Sequence, residues 1–189
     1  MLLLALTLPA LSATLTVGSS ATYSTIEDAI SAASSGDTIT VEAGSYSECL
    51  DTGGKDLTII GAGSGSTMLD SDGACAPLTI ASGETVTVTD LTIEDGYDAV
   101  VVDTSTAAFE DVIFSGNTGA WFGGALSLSA AAVTLQDVSF DSNESQYGGA
   151  IYASASELVL TDVSFSSNVA SYGGAIYTEG GTTIEQSGG

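Results

Sequence analysis

The chain is 189 residues long and carries 24 acidic side chains against a single lysine, with no arginine and no histidine, for a formal net charge of −23. That balance argues against nucleic acid and anionic membrane as partners. The missing residue types also exclude a Ser-His-Asp or Cys-His nucleophile and any histidine metal site within these residues. The length suits one domain with a sizeable core.

Residues 1–12 open on an apolar run, Leu2-Leu-Leu-Ala-Leu-Thr-Leu-Pro-Ala-Leu11. It is too short to span a bilayer and has the length of a signal-peptide core, although the usual basic residues before it are absent. Ala10-Leu11-Ser12 supplies small residues for cleavage, so residues 1–12 are read as an export signal. No other segment reaches transmembrane length.

Residues 13–36 are expected to form a strand, Thr14–Val17, and a helix opened by the capping box Ser24-Thr-Ile-Glu27. Ile26, Ala29, Ile30 and Ala33 fall on one helical face, and Gly36 is expected to end the helix. An amphipathic helix ahead of a stack of coils can lay its apolar stripe over the first coil and hide core and strand edges from water.

From residue 37 to 189 the chain reads as short strands and tight turns. Cys49 and Cys75 are 26 residues apart, close to the repeat period found further on. Equivalent positions of adjacent coils lie about 4.8 Å apart. In an exported protein a disulfide stapling the first coils is therefore expected. Asp70-Ser-Asp72-Gly73 spells a fragment of a calcium loop without its remaining ligands and is read as a solvated turn.

Between Ala107 and Gly180 one pattern is written three times. Phe109-Glu-Asp-Val-Ile-Phe-Ser-Gly-Asn117 is followed by Gly123-Gly124-Ala-Leu126. Leu135-Gln-Asp-Val-Ser-Phe-Asp-Ser-Asn143 is followed by Gly148-Gly149-Ala-Ile151, and Leu160-Thr-Asp-Val-Ser-Phe-Ser-Ser-Asn168 by Gly173-Gly174-Ala-Ile176. The glycine pairs recur every 25 residues, which signals stacked supersecondary units. Val133 and Leu135 alternate as in a strand, as do Val138 and Phe140. One extra residue separates the two pairs, and only a corner at Gln136-Asp137 keeps both inward. Residues 86–93 repeat this corner pattern without the Asn and Gly-Gly parts. With a third apolar segment after each glycine pair, the unit is a triangular coil. The fold class is all-β, a right-handed single-stranded parallel β-helix of about five to seven coils of three strands, with an N-terminal amphipathic capping helix.

Phe-x-x-Asn followed by Gly-Gly-Ala-[Ile/Leu] resembles the repeat of polymorphic outer-membrane proteins, surface proteins whose passenger domains are right-handed β-helices. The earlier part, from Tyr23-Ser-Thr-Ile-Glu-Asp-Ala-Ile30 through Gly44-Ser-Tyr46-Ser-Glu48 to Leu57-Thr-Ile-Ile-Gly-Ala-Gly63, resembles the pectin-lyase-like superfamily. The enzymes of that superfamily rely on an arginine or a histidine at their sites, which this chain lacks.

In a parallel stack every repeated residue becomes a ladder. Asn117, Asn143 and Asn168 are expected as an amide ladder at a corner whose left-handed backbone Asn tolerates, and the glycine pairs as a response to backbone angles or close coil packing. Asn143-Glu-Ser145 also spells a glycosylation sequon. Asp56, Asp90, Asp111, Asp137 and Asp162 each precede an inward Leu or Val. Most are expected in one column, with Asp90, Asp111, Asp137 and Asp162 as candidate calcium ligands between rungs and screening by water and salt as the competing account. Tyr147, Tyr152, Tyr172 and Tyr177 are candidates for stacking on glycan rings, with Tyr152 and Tyr177 expected to face out. No catalytic residue and no organic cofactor is assigned.

The expected function is that of a secreted or cell-surface structural, adhesin-like passenger segment without catalysis, facing extracellular polysaccharide or a neighbouring surface. The alternatives are a polysaccharide-active enzyme whose site lies outside this stretch and a calcium-dependent carbohydrate-binding module. Thr183-Ile184 begins another coil and no capping segment follows, so a longer native chain is expected.

Overall fold

A computed structural model describes residues 11–98 and 100–188. The expected export signal lies outside the described residues apart from Leu11 and Ser12. Three long faces run the length of the molecule, and all their strand pairs are parallel. The first face stacks Thr14–Val17, Asp37–Val41, Leu57–Ile60, Thr85–Thr89, Thr106–Glu110, Ala132–Gln136, Glu157–Thr161 and Thr183–Ser187. The second stacks Gly44–Ser47, Thr67–Asp70, Thr92–Glu94, Ile113–Ser115, Ser139–Asp141 and Ser164–Ser166. The third stacks Leu50–Asp51, Leu78–Ala81, Val100–Asp103, Leu126–Ser129, Ile151–Ser154 and Ile176–Glu179. This is the parallel β-helix expected from the repeats.

The period-2 alternation fills the core. Ile39, Ile59, Val88, Phe109, Leu135 and Leu160 point inward from the first face and are buried. Phe114, Phe140 and Phe165 stack from the second, with ring centroids 4.8 and 5.1 Å apart and planes within 7° of parallel. Phe109 meets Phe114 edge-on at 5.4 Å. Each step of the stack therefore hides apolar surface that a lone coil would leave in water.

The corner between the first and second faces explains its aspartates. Asp90, Asp111, Asp137 and Asp162 all have left-handed backbone, with φ between 51° and 58°. Asp and Asn tolerate this region, whereas branched side chains do not. The single inserted residue thus turns the corner and keeps Leu91, Val112 and Val138 buried. Asp56 departs from the expected column. It stands before the first face, at a different corner, and its carboxylate accepts the Thr85 amide (2.7 Å) and the Ser35 hydroxyl (3.0 Å).

Two expectations are corrected. The last full coils are not triangular: Glu144–Tyr147 and Val169–Tyr172 form a fourth, two-stranded face. Bridges Thr118↔Glu144 and Phe122↔Tyr147 extend it one coil back. Gly148 and Gly149 turn the chain from this extra side into the third face. Gly148 has φ 66°, and a Cβ on Gly149 would collide with the Gly174 carbonyl of the next coil. The pair answers a backbone angle at one residue and close coil packing at the other.

The helix is Ile26–Ala32, one turn shorter than expected, and its boundaries have different causes. Thr25, not Ser24, is the N-cap, and its hydroxyl accepts the Asp28 amide at 3.2 Å. The carboxylate that completes the cap comes from Glu48, whose two oxygens accept the Ile26 and Glu27 amides at 2.9 and 2.8 Å. At the other end the extended backbone of Ala33 stops the helix, and Gly36 (φ 93°) makes the later turn into the first coil. Lys55 donates its ammonium to the Ile30 and Ser31 carbonyls at 2.6 and 3.1 Å. The one cationic side chain of the sequence thus sits at the negative end of the helix dipole, and a carboxylate at the positive end. Ile26, Ala29, Ile30 and Ala33 are buried against the first coils, as the amphipathic pattern requires.

Candidate functional site

Cys49 and Cys75 form a disulfide, with Cα atoms 6.1 Å apart on adjacent turns of the stack. The three asparagines form a continuous ladder, buried at Asn117 and Asn143 and half-buried at Asn168. Asn117 Nδ2 donates to Asn143 Oδ1, and Asn143 Nδ2 to Asn168 Oδ1, both at 3.0 Å. Each amide also donates to a main-chain carbonyl of the preceding coil, those of Ile93, Phe114 and Phe140. Each of the two lower Oδ1 atoms accepts the main-chain amide of the asparagine above. The reason for asparagine differs from the expectation. The left-handed residues are the ones before it, Gly116, Ser142 and Ser167, while the asparagine side chains themselves turn inward. Asn143 is fully buried, so its sequon is closed in the folded chain.

The corner aspartates repeat with the strands, since Thr89, Glu110, Gln136 and Thr161 are in register. Two of them bond to the residue before: the Thr89 hydroxyl to Asp90 at 3.0 Å and the Gln136 amide to Asp137 at 3.4 Å. Among the described residues no three acidic side chains converge into a group fit to hold a metal ion. On the second face Asp141 is held below the usual carboxylate range by hydroxyl bonds, first from Ser166 and then from Ser142. Burial, then repulsion from Asp95 and Asp70, pushes Glu94 upward.

The aromatic residues fall into two columns that lean on each other. Phe122, Tyr147 and Tyr172 stack at 5.8 and 5.0 Å, and Tyr152 and Tyr177 at 6.0 Å. Phe122 lies 4.4 Å from Tyr152, and Tyr147 meets Tyr177 edge-on at 5.1 Å. Tyr152 was expected to face solvent and instead is only 8% exposed. It does leave the outer side of the third face, but the fourth face folds over it. Its hydroxyl donates to Glu179 at 2.5 Å, and burial followed by that bond raises its pKa. Tyr177 is half-buried and Tyr172 is 54% exposed. Stacking also changes what these rings offer, because rings lying face to face along the axis turn their edges to solvent.

The residue that the repeats conceal is Trp121. It is 61% exposed and makes no ring contact among the described residues. Five residues separate Asn117 from Gly123, against four in each later copy. The bridges agree: four steps from Thr118 to Phe122 oppose three from Glu144 to Tyr147. The extra residue lies between the ladder bonds of Gly119 and Trp121, whose carbonyl accepts the Tyr147 amide at 3.0 Å, so Phe122 keeps the ladder position with the exposed Trp121 beside the bulge. Asp98 braces the bulge by accepting the Ala120 amide at 3.3 Å. Asp98, Val101, Trp121, Phe122 and Ser127 enclose a shallow pocket of about 230 Å³.

Among the described residues no helix is long and apolar enough to cross a membrane. Residues 111–129, 137–154 and 162–179 match the Chlamydia polymorphic membrane protein repeat. No curated protein matches the chain. Among solved structures, a pectin methylesterase in complex with a hexasaccharide is similar, with 17% identity and a TM-score of 0.51 over 80% of this chain and 66% of that one. The pectin methylesterase from carrot is 14% identical over 92% of this chain and 82% of that one, with a TM-score of 0.47. The first of these likenesses concerns the fold alone, while the repeat matches rest on residues whose roles are visible in the corner aspartates, the asparagine ladder and the glycine pairs. The chain is a parallel β-helix that shares its fold with a pectin methylesterase, and its last full coils match the Chlamydia polymorphic membrane protein repeat.

Proposed function

We propose that the chain is a surface-displayed, adhesin-like structural segment that performs no catalysis itself. The observation that carries this reading is the use made of the repeated residues. In all three matched copies the Asn joins the hydrogen-bond ladder, the Phe joins the ring stack and the Asp turns a corner, and in the first two the glycine pair lets the next coil approach. What is repeated is therefore stiffness and length. The acidic surface suits display, because like charge keeps an elongated protein dispersed and discourages edge-to-edge association. The matched repeat is that of a Chlamydia membrane protein, which supports a location at a membrane surface here.

Two measurements test this. Antibodies raised against the purified chain should stain intact producing cells, and staining confined to permeabilised cells would refute surface display. Purified protein should release neither methanol from pectin nor unsaturated products from pectate or alginate. Robust turnover of any of these would overturn the non-catalytic reading.

A further inference from the structure

We infer that the bulge at Trp121 forms a binding site for one uncharged pyranose ring of an extracellular glycan. A repeat that otherwise keeps its spacing breaks it once, immediately before the only tryptophan in the sequence, which is exposed. Bulges re-aim side chains and are enriched beside functional sites. The neighbouring aromatic columns spend their faces on each other, whereas the indole of Trp121 has no ring partner among the described residues.

The surroundings suit a sugar. Val101 and Ser127 are register partners on the outer side of the third face, so the floor spans two rungs about 4.8 Å apart, the width of one pyranose ring. Trp121 supplies the apolar wall for the C–H face of such a ring, and Phe122 adds its ring edge. Asp98 and Ser127 supply oxygens for its hydroxyl edge, and one Asp98 oxygen takes no protein hydrogen bond among the described residues. A small concave site with an aromatic wall and a few polar groups is the usual form of a ligand pocket. Its volume of about 230 Å³ is below the usual drug-sized range and restricts it to a single ring.

Charge decides the class of sugar. With a net charge of −23 and a carboxylate at the rim, uronates, sialates and sulfated sugars are repelled. An organic ammonium would be attracted, but cation–aromatic attraction is weak where the ring remains solvated, as Trp121 is. A neutral hexose polymer is the better fit. Its affinity at one shallow site should be about millimolar.

Because the sequence holds one tryptophan, indole fluorescence reads this pocket alone. The purified chain is titrated with hexaoses of β-1,4-linked glucose, mannose, xylose and N-acetylglucosamine, and with hexagalacturonate and choline chloride. A saturable change with at least one neutral hexaose below about 10 mM, and none with hexagalacturonate, is expected. Calorimetry on Trp121→Ala should show binding lost while its melting temperature is unchanged, and Ser127→Ala should weaken binding at least about fivefold. The proposal is overturned if no neutral hexaose acts by about 10 mM, if hexagalacturonate or choline binds as tightly, or if either variant binds like the parent. The measurement uses purified protein, so its outcome is separate from that of the surface-staining test.

Discussion

Replacing Asn143 by alanine should be among the most damaging single changes in the chain. The Asn143 amide uses both its donors, on Phe114 O (3.1 Å) and Asn168 Oδ1 (3.0 Å). Its oxygen accepts twice, from the main chain and the side chain of Asn117, each at 3.0 Å. Truncation removes four bonds from a site with no solvent exposure. The Asn117 main-chain N–H, one donor of the Asn117 amide and the Phe114 carbonyl all lose this partner. At about 1–3 kcal/mol for each of these three buried polar groups, the cost is about 3–9 kcal/mol. That is a large part of the ~5–15 kcal/mol that holds a typical domain together. Asn168→Ala is the internal control: the residue is half-buried and water can replace what is lost, so about 1–2 kcal/mol is expected. Urea unfolding followed by far-UV circular dichroism gives both values. In a double-mutant cycle Asn117→Ala and Asn143→Ala should cost less together than the sum of the singles, because the one bond between their side chains is lost in both singles. If Asn143→Ala lies within about 1 kcal/mol of the parent, or costs no more than Asn168→Ala, the ladder does not stabilise the fold in this way.

The helix clamp predicts that Glu48→Gln and Lys55→Met each lower stability by about 1–2 kcal/mol in the same assay, and silence of both would show that charge does not hold the helix. Asp37 is held below the ordinary carboxylate range by the Ala13 amide first and the Ser34 amide second. A depressed folded-state pKa contributes stability that is present above the unfolded value of about 4 and lost as pH falls through the folded one. Asp37→Asn should accordingly be less stable than the parent at neutral pH, with the two converging below about pH 3; a constant gap would disprove the linkage. At the aspartate corner, NaCl should raise the melting temperature and Asp137→Asn should stabilise by about 1 kcal/mol or less at low salt, since asparagine also accepts the left-handed backbone. A further rise with calcium at matched ionic strength, reversed by chelator, would instead indicate a cation shared between rungs.

What the sequence disclosed, and what it withheld, divides along the range of the interactions. The corner at Gln136-Asp137 was legible because a strand's alternation admits no other place for one extra residue, and the asparagine ladder because identical residues must meet in a parallel stack. The fourth face was hidden because four residues such as Glu144–Tyr147 are too few to establish a period. Tyr152 was misplaced because alternation tells which side of its own strand a residue leaves and nothing about what folds over it. Glu48 and Lys55 act 21 to 25 residues from their helical partners, beyond any local capping rule. Trp121 did leave a trace, a spacing one residue longer than in the later copies, but only the bridges give that residue a direction.

The disulfide and the solitary lysine have a joint consequence for proteolysis. Proteases of trypsin's specificity need a cationic side chain at the cleaved bond, and this chain offers them only the bond after Lys55. That side chain is engaged on the end of the capping helix. Should the bond nevertheless be cut, the nick falls inside the loop closed by Cys49 and Cys75, so the two pieces stay covalently joined. Under oxidising conditions no protease of that class can detach the capping helix from the coils it covers.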